Sequence, residues 1–310
     1  MAPKGFLTTA LAAVSLLGAV ISGMGAAGLP NPFFAMDTGT RDARHQTPEA
    51  QAKLLKELGY AGIGWSPGQV PEMLAALDRE DLKMFAVYTG LDLGGTNRHV
   101  PAPIVKLIHE LEGRDTILWL YVTSKSYGPS DEAGDAEAVT VLTEIAALAK
   151  RAGVKVALYP HTGCWLERVQ DAVRLANKVH RARVAFIKQG LTSGARPPQE
   201  SAHDNLGVTF NLCHCLKVGD EKRIPELLDQ AKPYLFVVSI NGADHAGDWN
   251  RLIQTLDRGE FNVLPVLRKL KEIGFTGPIG LQHYGIQGDV SENLRRSMDG
   301  WKRLSAEAAK

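Results

Sequence analysis

Gly207-Val-Thr-Phe-Asn211-Leu-Cys-His214 is a short apolar run that ends in an amide and an imidazole. The pattern recurs in Val154-Lys-Val-Ala-Leu-Tyr159-Pro-His161, Leu235-Phe-Val-Val-Ser239-Ile-Asn241 and Pro278-Ile-Gly-Leu-Gln282-His-Tyr284. Runs this short and this apolar read as strands covered on both faces, the kind that parallel sheets use. Consecutive strands that all turn polar at their C-terminal ends gather chemistry at one end of such a sheet.

Working outward, the chain alternates strand and helix eight times. The expected strands are Phe33–Met36, Tyr60–Trp65, Lys83–Tyr88, Ile117–Val122, Val154–Tyr159, Val208–Leu212, Leu235–Ile240 and Pro278–Gln282. Between and after them lie amphipathic helices with Leu, Ile, Val and Ala three to four apart: Pro48–Leu58, Val70–Asp78, Ala102–Leu111, Ala136–Ala152, Glu167–Val179, Ile224–Ala231, Asn262–Ile273 and Ser291–Leu304. Gly59, Gly153 and Gly274 each follow a helix and precede a strand, where a left-handed C-cap belongs. Eight βα units over residues 28–310 predict a single α/β domain, a (β/α)8 TIM barrel. A doubly wound sheet would place a glycine-rich phosphate turn after its first strand, and Asp37-Thr-Gly-Thr-Arg41 lacks it.

Period-two alternation assigns the inward side chains. On the fifth strand Val154, Val156 and Leu158 face the helices, leaving Ala157, Tyr159 and His161 inward. On the sixth, Thr209, Asn211 and Cys213 face in and His214 sits at the rim. The seventh sends in Val237, Ser239 and Asn241, the eighth Gly280, Gln282 and Tyr284. The predicted mouth holds Tyr159, His161, Asn211, His214, Ser239, Asn241 and Gln282, with Asp37 and Arg41 after the first strand. Amides and imidazoles both donate and accept hydrogen bonds, which suits a polyhydroxylated ligand. Trp65, Trp165 and Trp249 lie at or past strand ends, where aromatic faces pack on sugar rings or under loops. Asp244 and His245 offer an acid and a base on the loop after the seventh strand, or a solvated pair. Lys125 and Lys188 are lone lysines in polar connections.

Composition narrows the function. The formal net charge is +1 across 310 residues, with no basic stripe, so nucleic acid is not an expected partner. Lys4, the apolar run from Phe6 to Ile21 and Gly25-Ala-Ala27 read as a signal peptide over residues 1–27, which predicts an exported protein without a membrane span after cleavage. Export permits disulfides, but the chain has three cysteines. Cys213 and Cys215, read as strand residues two apart, would bridge only under strain, and Cys164 either pairs with one of them or stays a buried thiol.

With Leu54-Leu-Lys-Glu-Leu-Gly-Tyr-Ala-Gly-Ile63, Leu158-Tyr-Pro-His161, Val208-Thr-Phe-Asn-Leu-Cys-His214, Ser239-Ile-Asn-Gly-Ala243 and Gly280-Leu-Gln282, the chain resembles the sugar phosphate isomerase/epimerase superfamily over residues 31–304. These are the xylose isomerase-like TIM barrels, and the branch it looks like is common among exported proteins of planctomycete-type bacteria. The resemblance implies a small carbohydrate as partner, proton transfer between adjacent carbons, and a divalent metal. It also implies metal-binding acids and a histidine where this chain has Tyr159, Asn211, Ser239 and Gln282. Only His214 keeps the pattern. Carboxylates offset a hard cation's charge and neutral amides do not, so a Mn²⁺ or Mg²⁺ at the usual place is not expected. His161, His214 and His283 are the candidates for a transition-metal site, though alternation turns His283 toward the helices. The expected reaction is proton abstraction beside a carbonyl, with His161 or His214 as base. The alternative is a metal-free barrel that binds a carbohydrate without catalysis.

Overall fold

A computed structural model of the chain describes residues 28–94, 100–190 and 205–310, with the side chains of 185–190 set aside. The expected signal segment and the Lys188 side chain lie outside the described residues. The strands are β1 (Phe33–Met36), β2 (Gly62–Trp65), β3 (Lys83–Leu93), β4 (Ile117–Ser124), β5 (Lys155–Leu158), β6 (Leu206–Asn211), β7 (Leu235–Ile240) and β8 (Ile279–Leu281). All pairings are parallel and run in sequence order, and β1 pairs with β8 to close the barrel. The helices are α1 (Pro48–Leu58), α2 (Val70–Arg79), α3 (Ala102–Glu110), α4 (Asp135–Arg151), α5 (Val169–Gly190), α6 (Leu212–Lys217), α7 (Ile224–Ala231), α8 (Trp249–Leu252), α9 (Leu264–Glu272) and α10 (Val290–Ala309).

Two apolar layers follow from the alternation. Phe34, Met36, Phe85, Trp119, Tyr159 and Val237 fill the barrel interior, while Val156, Leu158, Val208 and Phe210 join the larger layer between strands and helices. The inward assignments of Ala157, Tyr159 and Val237 therefore hold. Gly280 faces in because the Phe34 ring takes its side-chain space: a Cβ there would lie 2.5 Å from that ring. Local signals set the helix ends. Thr47 accepts a hydrogen bond from the Ala50 amide at 3.2 Å and Pro48 opens α1, which Gly59 terminates at φ +84°.

Some boundaries differ from the expected ones. β3 runs on to Leu93 and β4 to Ser124, paired in unbroken register from Ala86↔Ile117 to Leu93↔Ser124. The extension alternates buried Leu91 and Leu93 with exposed Asp92. β6 stops at Asn211, and Leu212–Lys217 is helix, so Cys213 is not an inward strand residue. The Asn211 side chain accepts from the His214 amide at 3.3 Å and thereby starts the helix. Cys164, Cys213 and Cys215 are all free and buried, so the bridge weighed above does not form.

The connection after β7 is held by its backbone. Gly242 and Gln254 form an antiparallel bridge, and Phe261 donates to the Ala243 carbonyl at 2.8 Å. Gly259 adopts φ +94°, and a Cβ on it would stand 2.1 Å from the Ala243 carbonyl oxygen. Gly259→Ala combines a disfavoured backbone conformation with a backbone clash, so we expect it to cost about 3 kcal/mol, read as a lower urea midpoint. An unchanged midpoint would mean that the loop relaxes freely.

Candidate active site at the C-terminal mouth of the barrel

β5 ends beneath a tight turn that brings His161 back over the barrel. Tyr159 donates its amide to Leu120 at 2.6 Å, and the His161 amide and carbonyl bond Leu166 and the Cys164 amide at 2.9 and 3.0 Å. α6 delivers His214 from the next unit. The two imidazoles meet with ring centroids 4.0 Å apart. Thr162 touches both: its carbonyl accepts from His161 Nδ1 at 3.0 Å, and its amide and hydroxyl approach His214 Nδ1 at 3.3 and 3.1 Å. Burial lowers the pKa of His161, against a smaller upward pull from the Thr162 carbonyl. Burial and then the neighbouring His161 hold His214 well below the ordinary value. Both rings are therefore neutral near pH 7.

Aromatic rings line one side of the pair. Tyr159 stands edge-on to His161 and His214 at 5.6 and 5.5 Å, Tyr121 lies 6.0 Å from His161, and Trp249 lies 5.3 Å from His214. Trp249 is the expected tryptophan that reaches the site. Trp65 and Trp165 are buried, with their indole N–H groups bonded to Gly68 and Asp131 carbonyls.

The amides expected to meet a ligand are largely committed within the protein. Asn211 Nδ2 donates to the Tyr159 hydroxyl at 2.7 Å, and its Oδ1 accepts from the Cys213 thiol at 3.0 Å as well as from the His214 amide. Gln282 Oε1 accepts from the His283 and Tyr284 amides at 2.9 and 3.2 Å and from the Thr38 hydroxyl at 3.3 Å. Burial pushes the Tyr159 phenol well above its usual range. Asn241 donates to the Gly242 and Leu252 carbonyls at 2.8 and 2.7 Å, which ties β7 to α8. Ser239 is fully buried beside Asn211 and Gly280 in register.

On the other side of the mouth, Asp37 accepts from the Ser66 amide at 2.8 Å, and Arg41 places its guanidinium 5.9 Å from the centre of the Trp65 ring. Burial raises the Asp37 pKa, opposed by the Ser66 bonds and by the Arg41 charge. Asp244 and His245 do not form a unit: Asp244 pairs with Arg251 at 2.7 Å and His245 with Glu221 at 2.8 Å. Lys125 is exposed. Thr162, Thr38, Tyr121 and Cys164 join the site without having been marked by sequence. Cys164 Sγ lies 3.5 Å from His161 Nδ1.

The residues present do not fit the divalent metal that the fold family implies. Tyr159, Asn211 and Gln282, from three of the four aligned positions, bring no carboxylate, and Tyr159 and Asn211 hydrogen-bond each other. His283 does not complete a triad with His161 and His214. It is buried against Gly39, whose added Cβ would lie 2.0 Å from its Nδ1, and burial lowers its pKa to about 4. Neither of its ring nitrogens has a hydrogen-bond partner among the described residues. Among the described residues no three His, Cys, Asp or Glu side chains converge on one point.

A cavity of about 490 Å³ opens on the opposite, N-terminal face, lined by Phe85, Phe236 and Phe275 with Lys83, Lys155 and Lys232 at its edge. Asp115 bridges Lys83 and Lys155 there at 2.5 and 3.5 Å. Volume alone does not make it the reaction site. The neutral imidazoles and convergent polar groups lie at the C-terminal mouth, where barrel enzymes carry their chemistry.

Closed topology, with parallel strands in sequence order and helices between them, defines a (β/α)8 barrel. No family model matches the sequence, and no curated protein does. Solved structures do match. A D-allulose 3-epimerase from Methylomonas sp. superposes with a TM-score of 0.65 at 14% identity, over 90% of this chain and 99% of that one. The 3-keto-D-glucoside 4-epimerase YcjR from E. coli gives 0.63 at 13% identity, over 88% and 99%. A xylose isomerase-like TIM barrel protein from Mycobacterium smegmatis, in complex with magnesium, gives 0.61 at 16% identity, over 90% and 98%. The chain thus has the xylose isomerase-like TIM-barrel fold, and at these identities the likeness extends to the fold alone.

Proposed function

We propose that the C-terminal mouth binds a sugar or sugar derivative and that His161, with His214 beside it, moves a proton next to the sugar's carbonyl. The observation that carries this reading is the pair of neutral imidazoles with centroids 4.0 Å apart at the end of β5 and the start of α6. A neutral imidazole is competent as a general base, and burial keeps both rings in that form. Sugar epimerases among the proteins of like fold support the substrate class. Titration of the full chain with free and oxidised sugars by calorimetry tests binding: saturable heat with at least one sugar is expected, and none across the panel would contradict the proposal.

Tyr284 belongs to this reading. It is 59% exposed and follows β8, with its amide donating to Gln282, which supports a role for its ring in contacting a ligand at that end of the barrel. A sugar's apolar face stacked on that ring predicts that Tyr284→Ala weakens affinity about 5- to 10-fold, with the melting temperature unchanged.

A second reading, a carbohydrate-binding barrel without catalysis, is favoured by the engagement of both polar atoms of Asn211, of the Asn241 nitrogen and of the Gln282 oxygen within the protein, which leaves fewer amide groups to orient a reacting sugar. Binding without proton exchange would select it. Export remains part of the proposal on the strength of residues 1–27, and it favours free over phosphorylated sugars. N-terminal sequencing of the mature protein should begin near Gly28, and a retained Met1 would contradict it. No described helix is long and apolar enough to cross a membrane.

A further inference from the structure

Thr162 contacts the two imidazoles with groups of opposite character. Its carbonyl oxygen carries no proton, so the ring nitrogen 3.0 Å from it, His161 Nδ1, must be the N–H. The lone pair of His161 is then on Nε2. At His214 the contact is reversed. The Thr162 amide can only donate, and it approaches His214 Nδ1 at 3.3 Å while the hydroxyl approaches the same atom at 3.1 Å. His214 Nδ1 is therefore the acceptor, and its proton sits on Nε2. The Cys164 thiol, 3.5 Å from His161 Nδ1, is too weak a partner to reverse the carbonyl's choice.

We propose that Thr162 is a positioning residue that locks His161 and His214 in opposite tautomers, making His161 Nε2 the base and His214 Nε2–H the donor to the developing enolate. This rests on the function proposed above and assigns its roles. In the step, His161 Nε2 takes the proton from the carbon beside the sugar's carbonyl. The C–H electron pair becomes the enolate C=C bond, and the carbonyl π pair moves onto oxygen. His214 Nε2–H hydrogen-bonds that oxygen and keeps its proton, as a neutral imidazole can. The His161 imidazolium then returns the proton to the same carbon as the oxygen pair re-forms the carbonyl, or to the adjacent carbon once the hydroxyl proton of the first carbon has crossed to the former carbonyl oxygen, so no proton is gained or lost.

The test is a two-bond ¹H–¹⁵N spectrum of the full chain labelled at histidine, recorded without sugar and assigned with His161→Gln and His214→Gln. A protonated Nδ1 on His161 together with a protonated Nε2 on His214 supports the proposal, and the same tautomer on both rings overturns it. Thr162→Val, which removes the hydroxyl and keeps the backbone, should mix the His214 tautomers and lower kcat for exchange about 10-fold with KM little changed, short of the loss a wrong tautomer causes in a catalytic triad. Thr162→Ser should restore both. A Thr162→Val spectrum and kcat identical to the parent's would also overturn it. Opposite tautomers without exchange on any sugar would contradict the reaction and leave the pair intact, so the two failures are distinguishable.

Discussion

His161→Gln should lower the rate of proton exchange on a bound sugar by about 100- to 10,000-fold, the range a positioned general base contributes. His161 is half-buried and lies in the turn after β5, outside both apolar layers. Its loss should therefore leave the melting temperature nearly unchanged and affinity within a few-fold. His214→Gln is expected to cost less rate and more stability, because His214 is almost fully buried on α6 against Tyr159 and Trp249. The two losses should not add, since both rings serve one proton transfer. A His161→Gln protein that exchanges at the parent's rate would remove it from the mechanism. The rates are best compared under single-turnover conditions, where product release does not mask chemistry.

Acidification should destabilise the fold well above the carboxylate range. His161, His214 and His283 all have folded pKa values lowered by burial, that of His283 to about 4, while in the unfolded chain each titrates near its ordinary value of about 6.5. Between the two values the unfolded chain holds more protons than the folded one, so stability rises with pH in that window and is lost as pH falls below about 6.5. Each such group contributes up to about 1.4 kcal/mol per pH unit, less for the half-exposed His161. Asp37 acts in the opposite sense. Its raised folded pKa means that the folded chain takes up this proton first, which adds stability as pH falls toward the ordinary aspartate value. Asp135, buried and paired with Arg174 and Lys178 at 2.9 and 2.6 Å, has a lowered pKa and gives way only below that value. Urea midpoints should fall steadily from pH 7 to pH 5, and His283→Leu should flatten that slope. Midpoints independent of pH over this interval would refute the burial-driven depression.

The barrel was legible because each strand carries a period-two code. Val156 and Leu158 face the helices and Tyr159 the interior, as alternation requires. What alternation could not see is the end of β6. Leu212 to Leu216 is apolar enough to prolong a strand, and only the cap from the Asn211 side chain to the His214 amide turns it into α6. That turn swings Cys213 off the strand and sets His214 against His161. The site was legible in the same partial way. Tyr159, Asn211 and Gln282 do converge, but Asn211 is taken up by Tyr159 and the start of α6 and the Gln282 oxygen by Thr38 and the backbone that follows β8, since buried polar groups find partners inside the protein. Asn241 was expected at the mouth for its amide, whose nitrogen instead holds the Gly242 carbonyl and the Leu252 carbonyl of α8. Thr162 was invisible because most of its role is carried by backbone atoms, which every residue has.

The direct test of the central claim is deuterium incorporation. Keto and aldehyde sugars, free and oxidised, are incubated in heavy water with the full chain and followed by NMR at the carbon next to the carbonyl. Incorporation into at least one sugar is expected, at a rate that depends on His161. Saturable binding of the sugars with no deuterium in any of them would contradict it and leave a barrel that only binds.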